Sequence, residues 1–80
     1  METEAYEQSV VEKLKAAFPD ATDVLVKDQS GGCGASFLIE ITSEQFRGKL
    51  PVAQQRLVNK ALKEEIASWH AVTIRAKVPE

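Results

Sequence analysis

Near the end of the chain Val72, Ile74, Ala76 and Val78 alternate with Thr73, Arg75 and Lys77. A period of two over that length makes a strand with one apolar and one polar face. Pro79 ends it. Such a strand needs neighbours for its backbone groups and a second layer over its apolar face. The whole chain has 80 residues, so one domain spanning residues 1–80 must supply both. A domain of that size buries only about 60% of its unfolded surface and is stable by a few kcal/mol at most.

The remaining segments supply the partners. Val10, Val11, Leu14, Ala17 and Phe18 recur at helical spacing, which predicts an amphipathic helix over residues 4–17 that ends at Pro19-Asp20. Two short apolar segments, residues 23–27 and 36–41, read as strands, with Phe37, Ile39 and Ile41 on one face. Thr42-Ser43 suits the cap of a short helical turn through Phe46. Gly48-Lys49-Leu50-Pro51 breaks it, and a longer helix is expected over residues 52–67, burying Val58, Ala61, Leu62, Ile66 and Trp69. The order is α-β-β-α-α-β. Three strands cannot close a barrel, so the expectation is an α+β two-layer sandwich: one open three-stranded sheet with the long helices on one face. Lys27, Glu40, Arg75 and Lys77 would stand on the other. The helix–helix–strand ending resembles the KH-like topology of some RNA-binding domains.

Composition narrows the chemistry. The single cysteine, Cys33, cannot pair within the chain, which fits a reducing compartment. The net charge of −2 disfavours a dedicated nucleic-acid binder. No stretch approaches the roughly 18 apolar residues of a membrane span. The start, Met1-Glu2-Thr3-Glu4-Ala5-Tyr6-Glu7, is acidic and resembles neither a signal nor a transit peptide. The expectation is a cytosolic protein or a mature form whose targeting segment is absent.

Cys33 sits in Ser30-Gly31-Gly32-Cys33-Gly34-Ala35, between the first two strands. Three glycines around one thiol let the backbone take unusual dihedrals and come close to a ligand. The alternative is a small buried hydrophobe, a common fate of free cysteine. His70, the only histidine, follows Trp69 where the long helix meets the last strand. It suits a helix C-terminal cap, favoured by the dipole, or a residue pointing into a cleft. If the second strand pairs with the third, the Cys33 loop and His70 approach one another. One thiolate and one imidazole make half of a tetrahedral site for a soft or borderline metal. The same pair suggests a thiol nucleophile with a general base, but no third, orienting residue is evident, and shared metal binding ranks above catalysis.

Two further patterns bear on partners. Gly31-Gly32-Cys33-Gly34 matches the GxxG loop that clamps nucleic-acid backbone in KH domains. There the loop joins two helices, whereas here it joins two strands. No Gly-Lys-Ser/Thr follows as a phosphate-binding loop requires. Residues 45–63 carry Arg47, Lys49, Arg56, Lys60 and Lys63 and no acid, whereas the first 44 residues carry nine acids and three lysines. This asymmetry makes either a basic patch for an acidic partner or phosphates, or a solvated helix face.

Taken together, Phe46-Arg47-Gly48-Lys49, the run from Gln55 to Ile66, His70-Ala71 and Pro79 resemble the signature of the BolA family. Phe18-Pro19-Asp20-Ala21-Thr22, Gly31-Gly32-Cys33-Gly34-Ala35 and Val58-Asn59-Lys60-Ala61-Leu62-Lys63-Glu64-Glu65-Ile66 are similar to its mitochondrial BolA-like branch, often called type three. The resemblance implies the fold derived above and a non-enzymatic adaptor. Its implied partner is a monothiol glutaredoxin carrying a CGFS motif, with a 2Fe–2S cluster shared between the two proteins and glutathione. Cys33 and His70 match the positions of the family's ligands. The implied role is late iron–sulfur cluster assembly in the mitochondrial matrix, supporting 4Fe–4S client proteins. The free protein would be a monomer. A cytosolic role is the alternative compartment, and a KH-like nucleic-acid-binding transcriptional regulator the alternative function. Gln55 departs from the histidine that many members carry there, but that histidine is not the one matched as ligand.

Overall fold

The computed structural model describes residues 2–30 and 34–80. In chain order it has α1 (Glu2–Ala17), β1 (Asp23–Asp28), β2 (Ser36–Thr42), a 3₁₀ turn (Glu44–Phe46), α2 (Pro51–Ala61), α3 (Lys63–Ser68) and β3 (Ala71–Lys77). The expected α+β sandwich is what forms. One sheet has the order β1-β2-β3. The β1–β2 pair is antiparallel, from Asp23 opposite Thr42 to Asp28 opposite Phe37. The β2–β3 pair is parallel, from Ser36 opposite Ala71 to Thr42 opposite Lys77. Parallel partners require a long crossover, and the 3₁₀ turn, α2 and α3 supply it.

Strand β2 is central, and it is the strand whose alternate side chains are most deeply sealed. Ile39 and Ile41 are inaccessible and Phe37 nearly so. Helix α1 adds Val10, Leu14 and Phe18, the turn adds Phe46, and the crossover adds Val58 and Leu62. Phe18 and Phe46 lie with ring centroids 5.3 Å apart, joining α1 to the turn. The opposite face is open, as expected. Arg75 donates to Glu40 Oε2 at 3.1 Å, and Lys77 stands 3.7 Å from Glu40 Oε1. Both cations and Lys27 are exposed, while Glu40 is half-buried between strands.

Three expectations need correction. The long helix is two helices. Leu62, with φ −114° and ψ 28°, interrupts it. No glycine or proline marks that place. The break coincides with tertiary contacts: Leu62 is fully buried there, and Glu65 beyond it accepts two 2.9 Å hydrogen bonds from Lys13 Nζ on α1. Ala17 is exposed rather than part of the apolar stripe, because α1 ends there and only Phe18 turns inward. Val72, Ile74 and Ala76 alternate as expected but are only half-buried, since β3 is an edge strand.

The turn after β2 is capped as the sequence suggests, with a second group involved. Ser43 Oγ accepts from Gln45 N at 3.1 Å and donates to the Asp20 carboxylate at 3.0 Å. Asp20 also accepts from Glu44 N and Gln45 Nε2. The Gln45 and Ser43 hydrogen bonds hold the Asp20 carboxyl below its ordinary range, against a smaller opposing effect of burial. The residue that ends α1 thus also fixes the turn leaving β2.

Candidate functional site at the glycine loop and His70

The parallel register of β2 with β3 sets the geometry of one end of the molecule. Because Ser36 lies opposite Ala71, the residues just before each strand are also neighbours. His70 N donates to Ala35 O at 2.7 Å, and Ala71 N reaches the same carbonyl at 3.2 Å. Gly34 packs against the histidine itself. It has φ +108°, a conformation that only glycine adopts without strain. A methyl group built on Gly34 would stand 3.0 Å from His70 Cβ and 3.5 Å from Cγ. The sequence left open whether β2 pairs with β3; it does, and the glycine loop meets His70.

Cys33 lies outside the described residues, with Gly31 and Gly32. In sequence it directly precedes Gly34, the residue that packs against His70.

His70 is exposed, and its imidazole makes no hydrogen bond among the described residues. It does not cap α3. Trp69 takes the C-cap position, with its N–H on Ile66 O at 3.2 Å, while the His70 N–H turns to the sheet. The histidine backbone is thus fixed to the central strand while its ring faces solvent.

The other side of the loop is braced. Asp28 Oδ1 accepts from Ser30 N at 2.8 Å, and Ser30 Oγ accepts from Ser36 N at 3.0 Å. Hydrogen bonds from Ser30 hold the Asp28 carboxyl below its ordinary value. Gln29 N donates to Ser36 O at 2.7 Å, and Glu7 Oε2 on α1 accepts from Asp28 N at 2.6 Å. The chain therefore enters the loop from one anchored ladder and leaves it into another. The Asp28-Gln29-Ser30 step is a legible Asx-turn signal that the sequence reading passed over.

An aromatic wall stands beside His70. The Trp69 indole lies on Phe37 with centroids 4.3 Å apart and planes inclined by 30°. Its Nε1–H donates to Tyr6 Oη at 2.8 Å. Tyr6 in turn packs on Phe37 at 5.6 Å. Trp69, expected to be buried, is half-buried and anchors the end of the helix. Tyr6 was not singled out, since nothing in its local sequence points to a residue 63 positions away.

Among the described residues no three of His, Cys, Asp and Glu gather as a metal site, and no helix is long and apolar enough to cross a membrane. What the described residues of this end offer a ligand is one exposed imidazole on a rigid strand end.

Comparison with known proteins places this arrangement. The model of the BolA-like protein family matches residues 12–80. BolA-like protein 3 of Bos taurus is 49% identical over 79 residues, covering 99% of this chain and 71% of that protein. BolA-like protein 3 of Homo sapiens is 49% identical over 74 residues, covering 92% of this chain and 69% of that protein. The crystal structure of a Bol-like protein from Babesia bovis superposes with a TM-score of 0.82 at 40% identity, over 91% of this chain and 84% of that one. The BolA domain of SufE1 from Arabidopsis thaliana superposes at 0.81 with 31% identity, covering 92% of each chain. The chain belongs to the BolA family.

Proposed function

We propose that this chain is a non-enzymatic adaptor in iron–sulfur cluster assembly. In this reading it shares a 2Fe–2S cluster with a monothiol CGFS glutaredoxin and glutathione, using Cys33 and His70 as its ligands. The observation that carries the reading is the contact between Gly34 and the His70 side chain, which brings the cysteine loop and the only histidine to one end of the sheet. The resemblance to the type-three branch implies a role in the mitochondrial matrix, on behalf of 4Fe–4S client proteins, and the relatives named BolA-like protein 3 agree with that branch.

The residues suit such a site in kind and number. Cluster irons accept thiolate, and imidazole in place of thiolate raises the potential and adds a protonatable ligand. This chain offers one of each, so a partner must supply the rest. The His70 ring is exposed and free of hydrogen bonds among the described residues, so binding breaks no bond that it makes there. The His70 N–H on Ala35 O fixes where the ring starts from. A site split between two proteins suits a cluster that is assembled and dismantled rather than held permanently.

The test is to mix the purified protein with a cluster-loaded, glutathione-bound monothiol glutaredoxin and record visible absorption and circular dichroism. The expected result is a one-to-one complex whose dichroism differs from that of the glutaredoxin alone. Cys33→Ala and His70→Ala should each alter the spectrum and shorten the lifetime of the cluster. The complex should also fail at acid pH, because imidazole must be neutral to bind metal. A double variant with the wild-type spectrum and lifetime refutes the ligand assignment.

A further inference from the structure

Helix α2 carries an exposed face that the proposed cluster site does not use. Of the five cations between Arg47 and Lys63, only Arg47 is engaged. Its guanidinium holds Glu44 through hydrogen bonds of 2.6 and 2.7 Å and Pro79 O at 3.0 Å. Lys49, Arg56, Lys60 and Lys63 are exposed and pair with no carboxylate among the described residues. Two of the most exposed large apolar side chains open the same helix, Leu50 at 75% and Val52 at 60%. Further along, Leu57 and Ala61 face Ala17 of α1 and Phe18 just after it across an apolar cleft of about 320 Å³ that Lys60 also lines.

Arg56, Lys60 and the cleft residues share one side of the helix, with Val52 at its far edge, opposite Ala61. At about 100° per residue, Arg56 and Lys60 lie about 40° and 80° around the helix from Val52, and Leu57 and Ala61 about 140° and 180°. The order around the helix is therefore apolar knob, two cations, apolar cleft. Val52 and Lys60 are about 12 Å apart along the axis, roughly two helical turns. At the far end of the cleft, Gln45 is held by the Asp20 carboxylate, so the positive side is the Lys60 side.

We infer that this face of α2 docks an acidic, amphipathic segment of a partner protein, with an aliphatic or aromatic side chain in the cleft and carboxylates on Arg56 and Lys60. The cations supply charge complementarity and the cleft supplies an anchor, the two components of a short-motif interface. Nucleic acid matches the observations less well. A phosphate backbone makes no use of an apolar cleft, and the chain as a whole carries a net charge of −2. The inference is independent of the cluster reading, since it uses neither Cys33 nor His70.

The test selects a random twelve-residue peptide library displayed on phage against the folded full chain, with the R56E/K60E double variant as counter-selection. Both residues are exposed, so the variant should keep the wild-type circular dichroism and melting temperature. The expected result is enrichment of peptides with Asp or Glu flanking Leu, Ile or Phe. A synthetic copy should shift the amide resonances of Leu57, Lys60 and Ala61. It should bind the double variant at least tenfold more weakly, and the Leu57→Glu variant, which places a charge in the cleft, should lose it as well. Enrichment of cationic or uncharged peptides, or peptides that bind the double variant equally, overturns the inference. So does a single-stranded or duplex oligonucleotide that displaces the peptide from this face at equal concentration, and so does occupation of the face by a second copy of the chain.

Discussion

Replacing Gly34 by alanine isolates the contact on which the site depends. At φ +108° an L-residue is strained by about 1–3 kcal/mol. The new methyl would also stand 3.0 Å from His70 Cβ, closer than such atoms normally approach, so one of the two segments must move. Crowding of that kind adds about 1–3 kcal/mol, while the stiffer unfolded chain returns about 0.4–1 kcal/mol. The net cost should be about 2–4 kcal/mol, a large part of the stability of so small a domain. In melting temperature that is about 10–25 °C, at about 4–8 °C per kcal/mol for a chain of this size. Gly48 is the control. It too has positive φ, +77°, but an added methyl would meet nothing within 4 Å. Gly48→Ala should therefore cost only about 1 kcal/mol. Thermal and urea unfolding of both variants measures the difference. A third measurement assigns it: in a His70→Gly background, Gly34→Ala should become cheaper by about 1 kcal/mol or more, well outside the 0.3–0.5 kcal/mol within which independent sites add. If Gly34→Ala costs no more than Gly48→Ala, or its cost is unchanged in that background, the loop does not rest on His70.

The register makes a second comparison sharp. Ile39 and Ile74 are partners across β2 and β3, but Ile39 is fully buried and Ile74 only partly. Ile39→Ala should cost about 3–5 kcal/mol and Ile74→Ala about 2 kcal/mol, read from urea midpoints; equal costs would show that β3 is not an edge strand. Stability should also fall in acid. The Asp20, Asp28, Glu44 and Glu65 carboxyls are all held below their ordinary values in the folded state. For Glu65, burial is the largest single effect and acts the other way, but the Lys13 hydrogen bond, a backbone hydrogen bond and the Lys13 charge together outweigh it. Their contribution is therefore complete above the unfolded carboxylate values of about 4 and disappears as pH falls through the lower folded values. Asp20→Asn should flatten the slope of melting temperature against pH below about 4, and an unchanged slope would mean that Asp20 is not the paired group.

How much of this was legible beforehand depends on the range of the signal. The strands were readable because alternation is local, and the open polar face followed from it. Ser43 as a cap was readable for the same reason. The break at Leu62 was not, because no glycine or proline marks it and the contacts around it are long-range, as between Glu65 and Lys13, 52 positions away. The dual role of Asp20 was hidden likewise: its partners Ser43, Glu44 and Gln45 lie beyond both first strands. The meeting of the glycine loop with His70 could be stated only as a condition, since strand order is a property of the whole chain. Once β2 is central and parallel to β3, the meeting follows from the register. Gly34 itself looked like one glycine among three; only its neighbour across the sheet gives it a separate role.

The central claim is that His70 binds the shared cluster, and the chain allows it to be tested at a single atom type. His70 is its only histidine, so growing this chain with 15N-histidine and pairing it with unlabelled glutaredoxin and glutathione marks one imidazole. Pulsed electron paramagnetic resonance of the reduced 2Fe–2S complex then reads the nuclei bound to iron. The account predicts a strongly coupled 15N signal that disappears in His70→Ala. A cluster-loaded complex with no strongly coupled 15N would contradict it and leave His70 beside the cluster rather than on it.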